Sequence, residues 1–238
     1  MELDYLFLEK TFLLVLTAVP TTLKLTAVSV LAAAPFALAI ALVRLHRPGL
    51  LRRLVTSYVT FVRGTPIVLQ ILLVYSVLPS ALKAGSDALG LGIDVFSWDP
   101  VFYAYAVFTL NTIALLSEVL RSALGSVAPG QLEAALCAGL TKPQAYAHII
   151  LPQALVSAMP NICNLTVNLI KGTSLAFLMT VKDMTAVAKI AASYGYNYIE
   201  AYVDVLAGYV IVCSLVQFLF HYAEAHVGSY RLARQKQV

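Results

Sequence analysis

Apolar residues in this chain come in five long runs, and the polar residues gather between them. Each run is roughly 20 residues, the length at which a helix crosses a hydrocarbon core. By length and hydropathy the runs cover residues 21–43, 58–82, 101–124, 154–181 and 202–225. A β-barrel would show shorter segments of alternating polarity instead. The pattern therefore predicts an all-α polytopic membrane protein with about five transmembrane helices. Composition agrees: 60% of the 238 residues are hydrophobic and only 12% are charged, far from the balance of a soluble domain. No internal repeat, low-complexity tract or separate soluble domain interrupts the pattern, so residues 1–238 read as one transmembrane domain.

Charge orients the spans. Arg44, Arg47, Arg52 and Arg53 lie between spans one and two, Arg121 and Lys142 between three and four, and Arg231, Arg234 and Lys236 after span five. The alternate loops carry Asp87, Asp94 and Asp99 against Lys83, and Asp183 and Glu200 against Lys182 and Lys189. Basic residues favour the cytoplasmic side, so the N-terminus is expected outside and the C-terminus in the cytoplasm. The start, MELDYLFLEK, lacks the basic region of a cleaved signal peptide. Between the last two spans, Met184, Val187 and Ala191 recur at helical spacing, followed by Tyr194, Tyr196, Tyr198 and Tyr202. Interfacial anchoring accounts for such tyrosines; a docking surface for an external partner is the alternative.

The loop at 126–152 is neither apolar enough to span nor charged enough to be plain solvated chain. Pro129-Gly130 breaks the chain, and residues 131–138 then form a good short helix of Leu, Glu and Ala. Gly139 is placed to end it in a left-handed cap. Thr141 with Gln144 three residues on makes a capping box for a second helix, and Pro143 is tolerated in its first turn. The expected product is helix, sharp glycine corner, helix. Small side chains at Ala134, Ala135 and Ala138 would let another backbone approach closely.

Glu133-Ala134-Ala135, then Gly139, then Ile149-x-Leu151-Pro152 resembles the EAA loop of ABC importer permeases. Phe61-Val62-Arg63-Gly64-Thr65-Pro66 is similar to that family's FxRGTP motif. Gly130-Gln131, Leu151-Pro152-Gln153-Ala154 and Ile170-Lys171-Gly172-Thr173-Ser174-Leu175 are similar to its polar amino acid subfamily. The chain departs from the usual pattern at Ile113-Ala114-Leu115 and Gly172. The resemblance covers about residues 20–225. It implies a type I importer (MetI-like) permease fold in the bacterial cytoplasmic (inner) membrane. It further implies that Glu133, Ala134, Ala135, Gly139 and Leu140 couple to a cytoplasmic ATPase. The implied partners are two ATPase subunits, a second permease (identical or homologous), an extracytoplasmic solute-binding protein, an amino acid substrate and membrane lipid. No nucleic acid is expected. This chain would bind no cofactor; ATP and Mg would stay on the ATPase subunits, which hydrolyse it. The region 171–205 is most similar to permeases for cystine and related amino acids.

Polar residues within spans are costly and face a partner or a cavity. Ser157, Asn161, Asn164, Asn168 and Lys171 recur on span four within less than a quarter-turn of one face. With Thr173 and Ser174 they are the candidate substrate pathway. Amides offer donors and acceptors, and an ammonium can meet a substrate carboxylate. Hydrogen bonding between helices, or snorkelling of Lys171, fits the same residues. Asn111, Glu118 and Arg121 on span three, with Arg63 and Thr65, are structural or gate residues. Glu118 and Arg121 are spaced for an ion pair. Arg63 is either at the inner boundary, if Pro66 opens span two, or buried and in need of a partner.

Catalytic signatures are absent: there is no HExxH, GxSxG, phosphate-binding loop or dinucleotide fingerprint. The three cysteines, Cys137, Cys163 and Cys213, have no metal-ligand spacing, and no metal site is expected. An ion-coupled secondary transporter or channel would need carboxylates inside the spans or an inverted repeat; Glu118 is the one candidate. A non-transporting scaffold is the third reading.

Overall fold

The computed structural model describes residues 3–235, with side chains described as far as residue 226. Arg231, Arg234 and Lys236, counted above as basic charges after span five, lie outside those described side chains. The described residues are helical throughout apart from short connections. Helix α1 covers Tyr5–His46, α2 Leu50–Gly64, α3 Ile67–Ala88, α4 Pro100–Gly125, α5 Pro129–Cys137, α6 Lys142–Ala145, α7 Leu151–Gly172, α8 Met184–Gly195 and α9 Tyr198–Gln235. Five helical segments are long and apolar enough to cross a membrane: α1, α3, α4, the continuous run Lys142–Met179 built on α7, and α9 as far as His226.

Lipid offers little hydrophobic drive between helices, so close packing of small side chains has to supply it. Helix α1 has a stripe of them, with Ala18, Thr22, Thr26, Ser29, Ala33, Ala37 and Ala41 all buried. Ala33, Ala37 and Ala41 pack on Ile113, Leu116, Leu120 and Leu124 of α4 and on Ala154 and Ala158 of α7. Nearer the other end of the bundle, Leu25 meets Val107 and Phe108 of α4 and Ile71 of α3. Helices α1 and α4 therefore run in the same direction, side by side. Val15 of α1, Met184 of α8, and Ala201 and Val212 of α9 form a third cluster.

Span two differs from the sequence expectation. One helix over 58–82 was expected. The chain instead forms α2 and α3 with a break at Thr65–Pro66, both in extended conformation. Proline removes a donor and disfavours helix for the residue before it, so the break falls at Gly-Thr-Pro. The membrane span is α3, and α2 is a separate helix lying against α4 and α1. Spans one and five also run further than expected, from Tyr5 to His46 and from Tyr198 to Gln235. Pro20 and Pro35 are accommodated inside α1.

The segment between spans four and five forms α8. Met184, Ala188 and Ala192 are its buried stripe, while Val187 and Ala191 are only half-buried. Tyr194 and Tyr196 are more than four-fifths exposed. Asp183 starts α8 and is fully buried. One carboxylate oxygen accepts from the Ala186 N–H at 2.8 Å, and the other accepts from the Tyr209 hydroxyl of α9 at 3.1 Å. Burial pushes the Asp183 carboxyl above its ordinary range, against the opposing pull of those hydrogen bonds.

Asp183 generates a pH signature. A carboxyl whose folded pKa is raised binds protons more readily folded than unfolded, so its contribution to stability falls as pH rises from about 4 through the raised value. Asp183→Asn keeps the cap and cannot ionise, so its stability advantage over wild type should grow with pH in that window. Asp183→Ala loses the cap and leaves the Tyr209 hydroxyl to its longer contact with Thr185, at a cost of about 1–3 kcal/mol. Denaturant unfolding of the purified protein in neutral detergent at stepped pH measures both.

Candidate functional site: a polar cavity and a glycine corner

Glu118 lies near the end of α4 where the arginines collect. Its carboxylate meets Arg44 of α1 at 2.7 Å, Arg63 of α2 at 3.2 Å and Arg121 of its own helix at 2.9 Å. The pairing of Glu118 with Arg121 follows the i,i+3 spacing read from the sequence. Arg44 was legible only as one basic charge among several. Its side chain is nearly buried, Arg63 is half-exposed, and one carboxylate ties three helices together. Arg63 therefore lies in the last turn of α2, just before the span that opens at Pro66, which corresponds to the alternative that placed it at the boundary. Three guanidinium groups against one carboxylate leave the cluster with a formal excess of two positive charges.

Gln70 completes the break before α3. Its amide nitrogen donates to the carbonyls of Val62 and Thr65 and to the Thr65 hydroxyl, at 2.8, 3.1 and 2.8 Å. Its amide oxygen accepts from Asn111 of α4 at 3.0 Å. Irregular backbone at membrane depth must be re-satisfied by neighbouring groups, and Gln70 does this. The signal in the sequence is a lone amide four residues after Pro66; it was not singled out there.

A cavity of about 540 Å³ opens beside this region. Its walls bring together Arg63 and Thr65 from the α2–α3 break, Asn111 and Glu118 from α4, and Asn161, Asn164 and Asn168 from α7. Those residues are some 100 positions apart in sequence, and the fold places them on one surface. The three α7 asparagines are exposed, although α7 lies in an apolar spanning segment. Lys171, Thr173 and Ser174 do not line this cavity. Lys171 is exposed on the same helix face; Thr173 is fully buried with its hydroxyl bonded to the Ile170 carbonyl. Ser157 faces α4, within 3.1 Å of the Ser126 hydroxyl. Arg121 reaches Glu118 from outside the cavity wall.

The segment after α4 has the expected helix–corner–helix form. Helix α5 ends at Ala138, and Gly139 adopts φ +85°. The Gly139 N–H donates to the Leu136 carbonyl at 3.0 Å and the Leu140 N–H to the Ala135 carbonyl at 3.1 Å, the two bonds of a Schellman motif. A Cβ on Gly139 would meet nothing within 4 Å, so the requirement for glycine is conformational and not one of space. Gln144 reaches back to the Thr141 N–H at 2.9 Å. The return limb contains a π-turn at Tyr146–Ile150, and Tyr146 hydrogen-bonds His46 at the end of α1. Glu133, Ala134 and Ala138 are exposed. Ala135 is buried in the chain itself, so its small size serves internal packing.

A family model described as "Binding-protein-dependent transport system inner membrane component" matches residues 11–226. The chain belongs to this family. Among its relatives, the L-cystine transport system permease protein TcyL of Bacillus subtilis is 35% identical over 217 residues, 91% of this chain and 88% of that one. The nopaline transport system permease protein NocM of Agrobacterium fabrum is 31% identical over 236 residues, 98% and 95% of the two chains. Among solved structures, an amino acid ABC transporter with histidines superposes with TM-score 0.78 at 27% identity, covering 95% of this chain and 100% of that one. The MetNI methionine ABC transporter in an inward-facing conformation superposes with TM-score 0.70 at 21% identity, covering 92% and 98%, and it shares the fold. The type I permease fold expected from the motifs is thus the fold of this family member.

The charge cluster yields a prediction about assembly of α1, α2 and α4. Glu118→Gln leaves three arginines facing one another, with a cost near the lower end of the about 3–5 kcal/mol for breaking a buried pair. Arg63→Gln removes a half-exposed partner and should cost under about 1 kcal/mol, while Arg44→Gln should cost more. Thermal melts in detergent of the single and paired variants would show Arg44→Gln partly rescuing Glu118→Gln, as expected of coupled neighbours.

Proposed function

We propose that this chain is the transmembrane permease subunit of an ATP-driven, binding-protein-dependent amino acid importer. The observation that carries the reading is the exposed amide face of α7 opposite Asn111 and Arg63 in the 540 Å³ cavity. Three exposed amides on a membrane helix are untenable against lipid, so this face borders a translocation pathway, completed by a second permease. Asn161, Asn164, Asn168 and Asn111 would offer donors and acceptors along it, with Lys171 further along the same face.

The basic end of the bundle is cytoplasmic in this reading, and the start of α1 lies outside. The glycine corner at Gly139 would then present Glu133, Ala134, Ala138 and the half-buried Leu140 to a cytoplasmic ATPase. Nucleotide-driven closure of two ATPases would move two such corners and rock the spans between inward and outward states. ATP and Mg stay on the ATPase subunits, and a solute-binding protein delivers the substrate on the opposite side. Glu118, the carboxylate read from the sequence as a candidate ion-coupling site, is held by three arginines instead.

The same cluster bears on substrate charge. Glu118 offers no free negative charge to a cationic side chain, and the excess positive charge favours a solute that is neutral or carries additional carboxylates. L-cystine, a neutral zwitterion with two carboxylates, fits this and fits the likeness to TcyL.

Gly139→Val demands positive φ from a β-branched residue, a strain of about 1–2 kcal/mol confined to an exposed corner. In proteoliposomes containing the permease, its ATPase and a loaded binding protein, Gly139→Val should lower ATPase association and uptake at least ten-fold while the purified chain melts within several degrees of wild type. Asn164→Leu should instead abolish uptake with the ATPase still bound. Cystine, and not arginine, should stimulate hydrolysis in the wild type. Uptake by the chain alone, without ATPase or nucleotide, would sink the importer reading.

A further inference from the structure

Helix α2 is the element that the family motifs and the cavity leave least explained. At about 100° per residue, its sequence divides into three faces. Val59 and Val62 are buried and pack on Ala114 of α4. Leu50, Leu54 and Phe61 fall on a second stripe, and each is more than half exposed. Arg52, Arg53, Thr56 and Thr60 occupy the remainder, between the two. A helix with one face on protein, one apolar face open and one basic face open is built for the boundary between lipid and water. Its depth is consistent with this. Arg63 at its far end touches Glu118, which also binds Arg44 in the last turn of α1, so α2 lies where the apolar part of α1 ends.

The charge at the start of α2 is uncompensated. No Asp or Glu occurs between Glu9 and Asp87. Arg47, Arg52 and Arg53 are exposed, and among the described residues none of them has an acidic partner. Pro48 and Gly49 turn the chain between α1 and α2, Gly49 at φ +98°, which gathers the three arginines at one elbow. Exposed Leu50, Leu51 and Leu54 surround them.

We propose that this elbow is a binding surface for an anionic phospholipid of the adjacent leaflet. The guanidinium groups of Arg47, Arg52 and Arg53 would hold the phosphate and its anionic headgroup, and Leu50, Leu54 and Phe61 would lie along the acyl chains. Arginine suits phosphate through its planar fork of donors. Each basic residue near an anionic surface contributes roughly five-fold in affinity.

The test uses the full chain in nanodiscs or mixed micelles of equal phosphatidylglycerol and phosphatidylcholine, with retained lipid identified by native mass spectrometry. The wild type should retain phosphatidylglycerol at least ten-fold over phosphatidylcholine. Arg47→Gln/Arg52→Gln/Arg53→Gln should lose that preference, while a Lys182→Gln control at the far end keeps it. The triple variant changes only exposed side chains, and its melting temperature in phosphatidylcholine alone should match wild type. Equal retention of the two lipids by wild type overturns the proposal, as does an unchanged preference in the triple variant. If the triple variant instead keeps its lipid preference and loses the ATPase subunit on co-purification, the elbow is a protein-docking surface and the lipid assignment is wrong. The readout does not depend on transport, so it stands or falls separately from the importer reading.

Discussion

Glu118 holds its charge among the membrane helices only because it has partners, and that constraint reaches far through the fold. Desolvating the charge would be prohibitive without partners. The partners come from three directions, Arg44 on α1, Arg63 on α2 and Arg121 on α4, and they pin the ends of these helices to one level. The α2–α3 break then has a fixed position beside α4, where Gln70 donates to its open carbonyls and accepts in turn from Asn111. The cavity exists because these elements are held there: its walls are the break on one side and α7 on the other. An apolar residue at 118 would relieve the charge and remove the tie at once.

Packing around that tie uses little side-chain bulk. The small-residue stripe on α1 lets α4 and α7 approach closely, and contact area substitutes for a hydrophobic drive that lipid does not provide. At the far end Gly208 of α9 serves the same purpose, since a Cβ there would come within 3 Å of Met184 and Val15. The close-packed α1–α4 pair stands beside the polar cavity between the α2–α3 break and α7.

The glycine corner at Gly139 follows different physics. Its form is local: a short helix stopped by a left-handed glycine, two Schellman hydrogen bonds, and a second helix started by Thr141 and Gln144. Little tertiary contact is required to make it. Tertiary contact anchors it, through Ala135 packed inward, Gln153 reaching Gln131, and Tyr146 joined to His46 at the foot of α1. Local structure shapes the corner, and tertiary contacts attach it to the rest of the fold.

The sequence by itself determined what depends on near neighbours. The number of spans, the corner at Gly139, the Thr141–Gln144 start, the Glu118–Arg121 pair and the single face shared by the α7 asparagines all follow from hydropathy, periodicity, propensity or i,i+3 and i,i+4 spacing. Only the tertiary structure decided what those features meet. Span two was legible as apolar from Tyr58 onward, because hydropathy cannot see that the apolar residues of α2 face α4 and the interface and do not form part of a crossing helix. Arg44 carried no local signal, since its partner is 74 residues away in the chain, and the bond from Asn111 to Gln70 spans 41 residues. Likewise Ala135 and Thr173, grouped by motif with exposed neighbours, turned inward. Which side of a helix faces protein is set by the helices packed against it, and that information is distributed over the whole chain.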